Sequence, residues 1–264
     1  MVEQTSRVTQ VYLALRRAII EQALEPGVKL PEDAIGEQFH VSRTIARRAL
    51  ELLAADELVE FRANRGASVI SPTLEQAHDL FAVRIDIEKI VARRICGKLS
   101  KDDVARLKKH VEQEDRALRN NSPDYIRLAA HFHALLAEMS ESQLLLRYIN
   151  QLIWQSALIL RLHGKPRWHT CNVQEHLDLI AVLESGDKAR ADRLLSAHLE
   201  SVLTRALEGA TIDGEPKLGE VLSRYSLQSL NGRAEAERQK RRATMPNKTS
   251  ARAKTGPHVQ RRAP

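Results

Sequence analysis

The chain contains few aromatic residues, two cysteines and no long apolar run. Aromatic residues make up 4% of its 264 positions, and leucine, alanine, arginine and glutamate dominate instead, which favours helices over sheets. Cys96 and Cys171 lie far apart in sequence, which indicates free thiols in a reducing compartment. No run reaches the roughly 18 apolar residues of a membrane span, and the first residues lack the apolar core of a signal peptide. We therefore expect a cytoplasmic protein.

The excess of positive charge lies at one end of the chain. The formal net charge is +7. Residues 209–264 contain 12 Lys/Arg and five Asp/Glu, so residues 1–208 contain 29 charges of each sign. The positive balance is therefore not by itself a sign of a DNA-binding fold. Large apolar side chains are rare beyond residue 232, and we predict a basic, disordered tail over 209–264.

Residues 1–71 have the pattern of a winged helix-turn-helix domain. Periodicity and turn residues predict helices over 8–23, 31–38 and 42–54 and short strands over 58–61 and 67–70. Ser42 is a good N-cap for the third helix. Asn64-Arg65-Gly66 suits a hairpin turn between the strands. Three helices followed by a β-hairpin form a winged helix, the predicted DNA-binding domain.

The third helix and the hairpin carry the candidate DNA contacts. Arg43 and Arg47 are four residues apart and share a helix face, and arginine is the commonest reader of guanine. Ser42 and Thr44 suit phosphate contacts at the helix start, and Arg65 is placed to reach the minor groove or backbone. The alternative is a solvated basic helix in an unrelated domain. The candidate DNA-binding residues are Ser42, Arg43, Thr44, Arg47, Arg48, Arg65 and Gly66.

After Ser71-Pro72-Thr73, every segment to about residue 208 has helical periodicity. Six amphipathic stretches predict an all-α antiparallel helical bundle over 72–208, an effector-binding and dimerisation domain, so the fold class is mainly α. His133, His176 and His198 lie on apolar stripes of separate helices and should point into the bundle. A lone inward histidine is usually a hydrogen-bonded core residue, but three converging imidazoles make a natural transition-metal site.

Several of these motifs resemble a known family of bacterial regulators. Glu25-Pro26-Gly27, Val41-Ser42-Arg43-Thr44 and Asn64-Arg65-Gly66-Ala67 resemble the first turn, recognition helix and wing of the GntR family. Residues 73–205 resemble the FCD effector domain of its FadR subgroup, through Arg84-x-x-x-Glu88, Phe132-His133-x-x-Leu136, Glu175-His176, Gly186-Asp187 and His198-Leu199. The resemblance implies a dimeric repressor or activator on a pseudo-palindromic operator. It also implies a metal held by three histidines and an aspartate one turn before the first.

The sequence departs from that family at the aspartate. Ala129 occupies the matching position, and His131 cannot replace the ligand because two residues rotate it about 200° from His133. Asn172, one turn before His176, is a weak substitute. Three histidines can hold zinc with an open fourth position. We therefore expect a weakened site for a divalent transition metal such as Zn or Ni, with His133, His176 and His198 as ligands.

We expect a small anionic effector, such as an organic or sugar acid, with Arg84 as a carboxylate partner. The alternative role for Arg84 is an ion pair with Glu88.

The expected function is that of a DNA-binding transcription regulator, a homodimeric repressor and not an enzyme. Two alternatives stay open, a metal-dependent hydrolase using the three histidines and a regulator with no effector. A hydrolase requires a general base near the metal, where this chain has Ala129.

Overall fold

The chain folds into a small domain of three helices and a hairpin, followed by a helical bundle. A computed structural model describes residues 2–122, 124–163, 173–207 and 218–225. The first domain contains α1 (Val2–Ile20), α2 (Glu32–Phe39), α3 (Arg43–Ala55), β1 (Val59–Arg62) and β2 (Gly66–Val69). The bundle contains α4 (Leu74–Ile95), α5 (Lys101–Arg119), α6 (Asp124–Met139), α7 (Gln143–His163), α8 (Val173–Ser185) and α9 (Lys188–Leu207), and α10 (Leu218–Arg224) follows. The predicted fold class, a winged helix joined to a helical bundle, is confirmed.

A tight corner between α2 and α3 sets the direction of α3. As predicted, Ser42 caps α3, because its Oγ accepts the amide hydrogen of Ile45. His40 ends α2 in the left-handed region, with φ 53°. Gly36 lies so close to the corner that a Cβ there would be 2.9 Å from the carbonyl oxygen of Val41. Glycine at this position therefore lets the two helices approach and fixes α3 against the domain core.

The β-hairpin packs beside α3. β1 and β2 pair antiparallel, with Val59 opposite Val69 and Arg62 opposite Gly66. Asn64 and Gly66 reverse the chain with φ 61° and 73°, so the predicted turn at Asn64-Arg65-Gly66 is present. Arg65 lies exposed at the tip.

The bundle begins at a capped helix end. Thr73 and Gln76 form reciprocal side-chain to backbone hydrogen bonds at the start of α4, a capping box that satisfies two helix amides. Behind it, α4 packs on α7 and α9, and α5 packs on α6 and α8. Phe81 of α4 and Phe132 of α6 are among the largest fully buried side chains. The six predicted amphipathic stretches thus correspond to α4–α9 in the described part of the chain, where no helix is long and apolar enough to cross a membrane.

Helix α10 lies inside the segment 209–264 that the sequence predicts as a disordered tail. That prediction is wrong for residues 218–225, because Val221, Leu222 and Tyr225 are buried against α1 and α2. The Tyr225 hydroxyl donates to Oε2 of Glu21 at 2.6 Å. The Glu21 side chain is 3% exposed and also pairs with Arg17 at 2.6 Å. Seven residues with two buried side chains give too short a periodic signal to be recognised in a polar stretch. The rest of the predicted tail lies outside the described residues.

Tyr225→Phe removes a hydrogen bond to a buried carboxylate. We expect the free energy of unfolding to fall by about 1–3 kcal/mol, because the acceptor is charged and shielded from water. Urea unfolding of the full chain measures the change. Tyr148→Phe is the control, since Tyr148 is 45% exposed. Equal stability of the two variants would contradict a docked α10.

Candidate nucleic-acid interface and metal centre

One face of the first domain presents all seven predicted DNA-binding residues to solvent. Ser42, Arg43, Thr44, Arg47 and Arg48 are exposed on the first turns of α3, and Arg65 and Gly66 are exposed on the hairpin. The opposite face of α3 is buried through Ile45, Ala46, Ala49, Leu50 and Leu53. The guanidinium carbon of Arg47 lies 5.8 Å from the ring centroid of Phe61 on β1. Arg47 at the start of α3 therefore lies beside the hairpin, on an exposed surface that contains several arginines.

An acidic residue holds both central arginines of this surface. Glu32, at the start of α2, accepts Arg43 Nε at 2.8 Å and Arg47 Nη1 at 3.3 Å. Arg47 Nε also contacts Glu51 at 3.2 Å. The two guanidiniums are 70% and 60% exposed, so these ion pairs contribute little to stability. Their effect is to orient the arginines and to place a negative charge where phosphates would approach. Glu32 could not be recognised from the sequence, because its partners lie 11 and 15 residues away along the chain.

Glu32→Gln should strengthen binding to non-specific duplex DNA at low salt by about threefold to tenfold. The change frees two guanidiniums and removes a charge that repels phosphate. Glu37→Gln is the matched control, since it removes the same charge from an exposed position of the same helix. Fluorescence anisotropy with a labelled duplex measures both. Identical affinities for the two variants would show that Glu32 does not restrain the arginines.

Three histidines from three helices meet in the centre of the bundle. His133 of α6, His176 of α8 and His198 of α9 have side chains at most 1% exposed. One ligand atom from each lies within 4.8 Å of the others. The Nε2 atoms of His133 and His198 are 3.3 Å apart. The structure therefore brings together the three histidines that the sequence singles out.

Each imidazole is oriented by a carboxylate on its other nitrogen. The Nδ1 atoms of His133, His176 and His198 lie 2.5, 2.7 and 2.7 Å from carboxylate oxygens of Glu88, Glu114 and Glu175, respectively. An ionised carboxylate only accepts hydrogen bonds, so these partners place a hydrogen on each Nδ1 atom and leave the Nε2 atom of each ring for another partner. Carboxylates of this kind fix the ring and raise its basicity in metal sites.

One distance within the cluster matches that of a tetrahedral metal site. The Nε2 atoms of His133 and His198 are 3.3 Å apart, so either a shared hydrogen or a metal ion between them would satisfy both atoms. Two imidazole nitrogens on tetrahedral zinc, each about 2.0–2.1 Å from the ion, are separated by about 3.3 Å. The donor set therefore fits a divalent transition metal, with His133, His176 and His198 as the ligands in the described part of the chain.

The electrostatics of the cluster also fit a cation. Burial alone would raise the pKa of Glu88, but His133 and Arg84 lower it to about 2. Burial likewise opposes ionisation of Glu175, while hydrogen bonds from His198 and Arg205 lower its pKa to about 2.

Glu114 is the carboxylate of this cluster that has no arginine partner among the described residues. Its side chain is fully buried, and its Oε1 atom has no hydrogen-bond partner among the described residues. The Nε2 atom of His110 is 3.3 Å from Oε1, but it forms its hydrogen bond with the carbonyl oxygen of Leu128. The described cluster thus holds three carboxylates and two guanidiniums around the three imidazoles. Glu114 was not among the residues predicted from the sequence. Its position on the apolar stripe of Leu107 and Val111 could have identified it, because an acidic residue on such a stripe indicates a buried, paired carboxylate.

The expected aspartate position lies beside a small cavity. Ala129 is buried one turn before His133, and both line a space of about 30 Å³ together with Arg84 and Ser156. That volume corresponds to roughly one water molecule. His131 does not face the cluster, and its ring contacts His110 with centroids 5.2 Å apart. Asn172 lies outside the described residues.

Arg84, the predicted effector partner, is 5% exposed on the wall of this cavity. Its Nε donates to Glu88 at 2.7 Å, and Nη1 donates to Ser156 at 3.1 Å. The ion pair with Glu88 that the sequence offers as the alternative role is therefore present. Arg84 positions Glu88, which in turn positions His133.

Family models of known proteins match both domains of the chain. Residues 7–69 match the family model of bacterial regulatory proteins of the gntR family, and residues 79–201 match the FCD domain. The chain is 28% identical to the HTH-type transcriptional repressor RspR of Escherichia coli (strain K12), over 73% of this chain and 86% of the relative. It is 28% identical to the Uxu operon regulator of Haemophilus influenzae, over 78% and 84%. A GntR-type transcriptional regulator from Rhodococcus sp. RHA1, 24% identical over 78% of this chain and all of that one, shares the fold with a TM-score of 0.69.

An exposed basic recognition helix with a hairpin wing, joined to a bundle with a buried histidine centre, defines a winged-helix transcription regulator with a sensing domain. The chain belongs to the GntR family of bacterial regulatory proteins and carries an FCD domain. DNA is therefore its macromolecular partner. It is not an enzyme, and the hydrolase alternative does not hold, since the relatives and structural neighbours are regulators.

Proposed function

We propose that the chain is a dimeric repressor that binds a pseudo-palindromic operator and releases it in response to a small anionic metabolite. The exposed basic surface of α3 and the wing carries the first part of this proposal. Arg43 and Arg47 would read base edges in the major groove, with Ser42, Thr44 and Arg48 on phosphates and Arg65 of the wing in the minor groove. The relative RspR is named as a transcriptional repressor, which supports repression rather than activation as the mode of regulation. Binding to chromosomal DNA would place the protein in the cytoplasm.

An exposed apolar stripe on α4 supports dimerisation. Val83 and Ile90, two helical turns apart, are 43% and 46% exposed, and Ile87 lies between them on the same face. A helix face of this kind is self-complementary about a two-fold axis. A second copy docked there would place two recognition helices on one duplex, as an inverted-repeat operator requires.

In vitro selection from random duplex DNA with the full chain tests this function. We expect an inverted repeat bound by two chains. Arg43→Ala should weaken binding to the selected site by about tenfold to a hundredfold and relax the preference at one base pair in each half-site, because a bidentate base contact is lost. Arg119→Ala is the control, since this exposed arginine pairs with Asp115 on α5. A selected site without symmetry, or equal affinities of the two variants, would refute the proposal.

We propose further that His133, His176 and His198 hold a divalent transition metal such as Zn or Ni through Nε2. The bound ion would supply Lewis acidity for an effector carboxylate at its open position. Three carboxylates outnumber two guanidiniums by one charge in this cluster, so a divalent ion reverses the local balance to one positive charge. That balance favours an anionic effector.

Arg84 is placed to bind such an effector from the opposite side of the cavity. Its two observed bonds leave further N–H donors of the guanidinium for a carboxylate. The cavity of about 30 Å³ is smaller than an organic acid, so effector binding would have to displace its walls.

Helix α7 links those walls to the first domain. Ser156 lines the cavity, while the two preceding residues face the winged helix: Gln155 donates to Glu57 at 2.9 Å, and Trp154 lies 4.2 Å from the Arg16 guanidinium. An effector that displaces α7 would therefore change both interdomain contacts. It would shift DNA affinity by the difference between its own affinities for the two arrangements.

Two substitutions test the metal centre, because Ala129→Asp should raise its affinity for zinc and Glu114→Gln should lower it. Aspartate at 129 restores the ligand that the FCD resemblance implies, and we expect zinc affinity to rise at least about tenfold. Glu114→Gln should lower it by about tenfold to a hundredfold, because it removes the carboxylate that orients His176. Competition with a chromogenic chelator measures both.

Two controls accompany that measurement. Glu112→Gln changes an exposed carboxylate on the same helix as Glu114 and should leave zinc affinity unchanged. His198→Ala should abolish tight binding. Absence of zinc binding by the folded wild-type chain would refute the metal centre and favour a regulator whose bundle has no metal-dependent effector.

A further inference from the structure

A second and larger cavity lies between the winged helix and the bundle. It has a volume of about 540 Å³ and is bounded by α1, α6 and α7. Sites for small organic ligands usually measure about 300–1,000 Å³. The cavity therefore has room for a metabolite without rearrangement, unlike the space beside Ala129.

The polar wall of this cavity is cationic. Arg16 and Arg17 of α1 and Arg127 of α6 line it, together with His131 and Asn150, and no carboxylate is among the described lining residues. Arg17 and Arg127 are held by carboxylates outside the lining, since both lie within 3.3 Å of Glu21. These ion pairs fix the two guanidiniums in place at the cavity wall.

Arg16 differs from the other two arginines because the described part of the chain offers it no carboxylate. Its Nη1 donates to the Tyr12 hydroxyl at 2.9 Å, and its guanidinium carbon lies 4.2 Å from the Trp154 ring centroid. Stacking on the indole holds the planar group in a fixed orientation, and the carboxylate of Asp56 reaches it only through the Tyr12 hydroxyl, which donates to Asp56. A guanidinium held in this way is preorganised for a planar anion such as a carboxylate.

The remaining walls are apolar. Leu13 and Ile20 of α1 face Ala130, Ala134 and Ile153 of the bundle across the cavity. Burial of a ring or short hydrocarbon chain against such side chains contributes about 25 cal/mol per Å² of apolar surface. The site thus combines an anion-binding side with a hydrophobic side.

We propose that this interdomain cavity is a ligand site for an amphipathic organic anion, with a ring on the apolar walls and its acidic group on Arg16 and Arg127. It is separate from the histidine cluster and uses none of its residues. Because its walls belong to both domains, an occupant contacts the DNA-binding domain directly. Ligand binding itself does not depend on the operator or on a metal.

Fluorescence titration of the full chain with 8-anilinonaphthalene-1-sulfonate tests the site. This probe carries aromatic rings and one anionic group, and N-phenyl-1-naphthylamine supplies a similar ring system without the charge. We expect one sulfonate probe per chain and at least about tenfold weaker binding of the neutral analogue. Arg16→Gln and Arg127→Gln should each weaken the sulfonate probe by about tenfold and leave the neutral analogue unaffected, as loss of a charge-assisted hydrogen bond requires.

Two further variants make the result specific. Arg119→Gln removes the same charge from the exposed surface of α5 and should bind the probe as the wild type does. His133→Ala should also retain probe binding, so failure of the metal proposal and failure of this one are distinguishable. The proposal is overturned if the sulfonate and neutral probes bind equally, or if Arg16→Gln and Arg119→Gln have the same affinity.

Discussion

Three hydrogen bonds from histidine to buried carboxylate organise the sensing half of this protein. Glu88, Glu114 and Glu175 each take the Nδ1 hydrogen of one imidazole, and one nitrogen of each ring lies within 4.8 Å of the others. Buried carboxylates are costly unless they are paired, and these are paired only when α4, α5, α6, α8 and α9 are packed together. The histidine centre therefore depends on the packing of these five helices.

The two domains meet through a small number of polar contacts. Glu21, just after α1, binds Arg17 of α1, Arg127 of α6 and Tyr225, just after α10. Gln155 and Trp154 of α7 also contact the first domain. Arg127 precedes Ala129 by two residues, and Trp154 precedes Ser156 by two. The helices that line the cavity beside the histidines are thus the ones that touch the DNA-binding domain.

Periodicity and spacing predicted most of the fold and the chemically distinctive residues. The recognition-helix arginines and the three inward histidines were found because each lies at a fixed spacing within one helix. Helix α10 was not predicted, since its short apolar pattern depends on burial against α1 and α2. Ala129 was recognised as a departure by resemblance to the FCD domain. The cavity beside it depends on neighbouring helices and could not be read from the sequence.

The sequence by itself determined the winged helix, the helical bundle, the exposed α3 surface and the inward direction of His133, His176 and His198. Only the tertiary structure decided which side chains these groups meet. Glu32 lies on the recognition arginines because the α2–α3 corner brings it there, and Glu114 lies on His176 across 62 residues of chain. Periodicity within a helix records which face is buried, whereas contacts between helices depend on how the whole bundle packs. The partners of the DNA-binding and histidine residues therefore appear only in the folded chain.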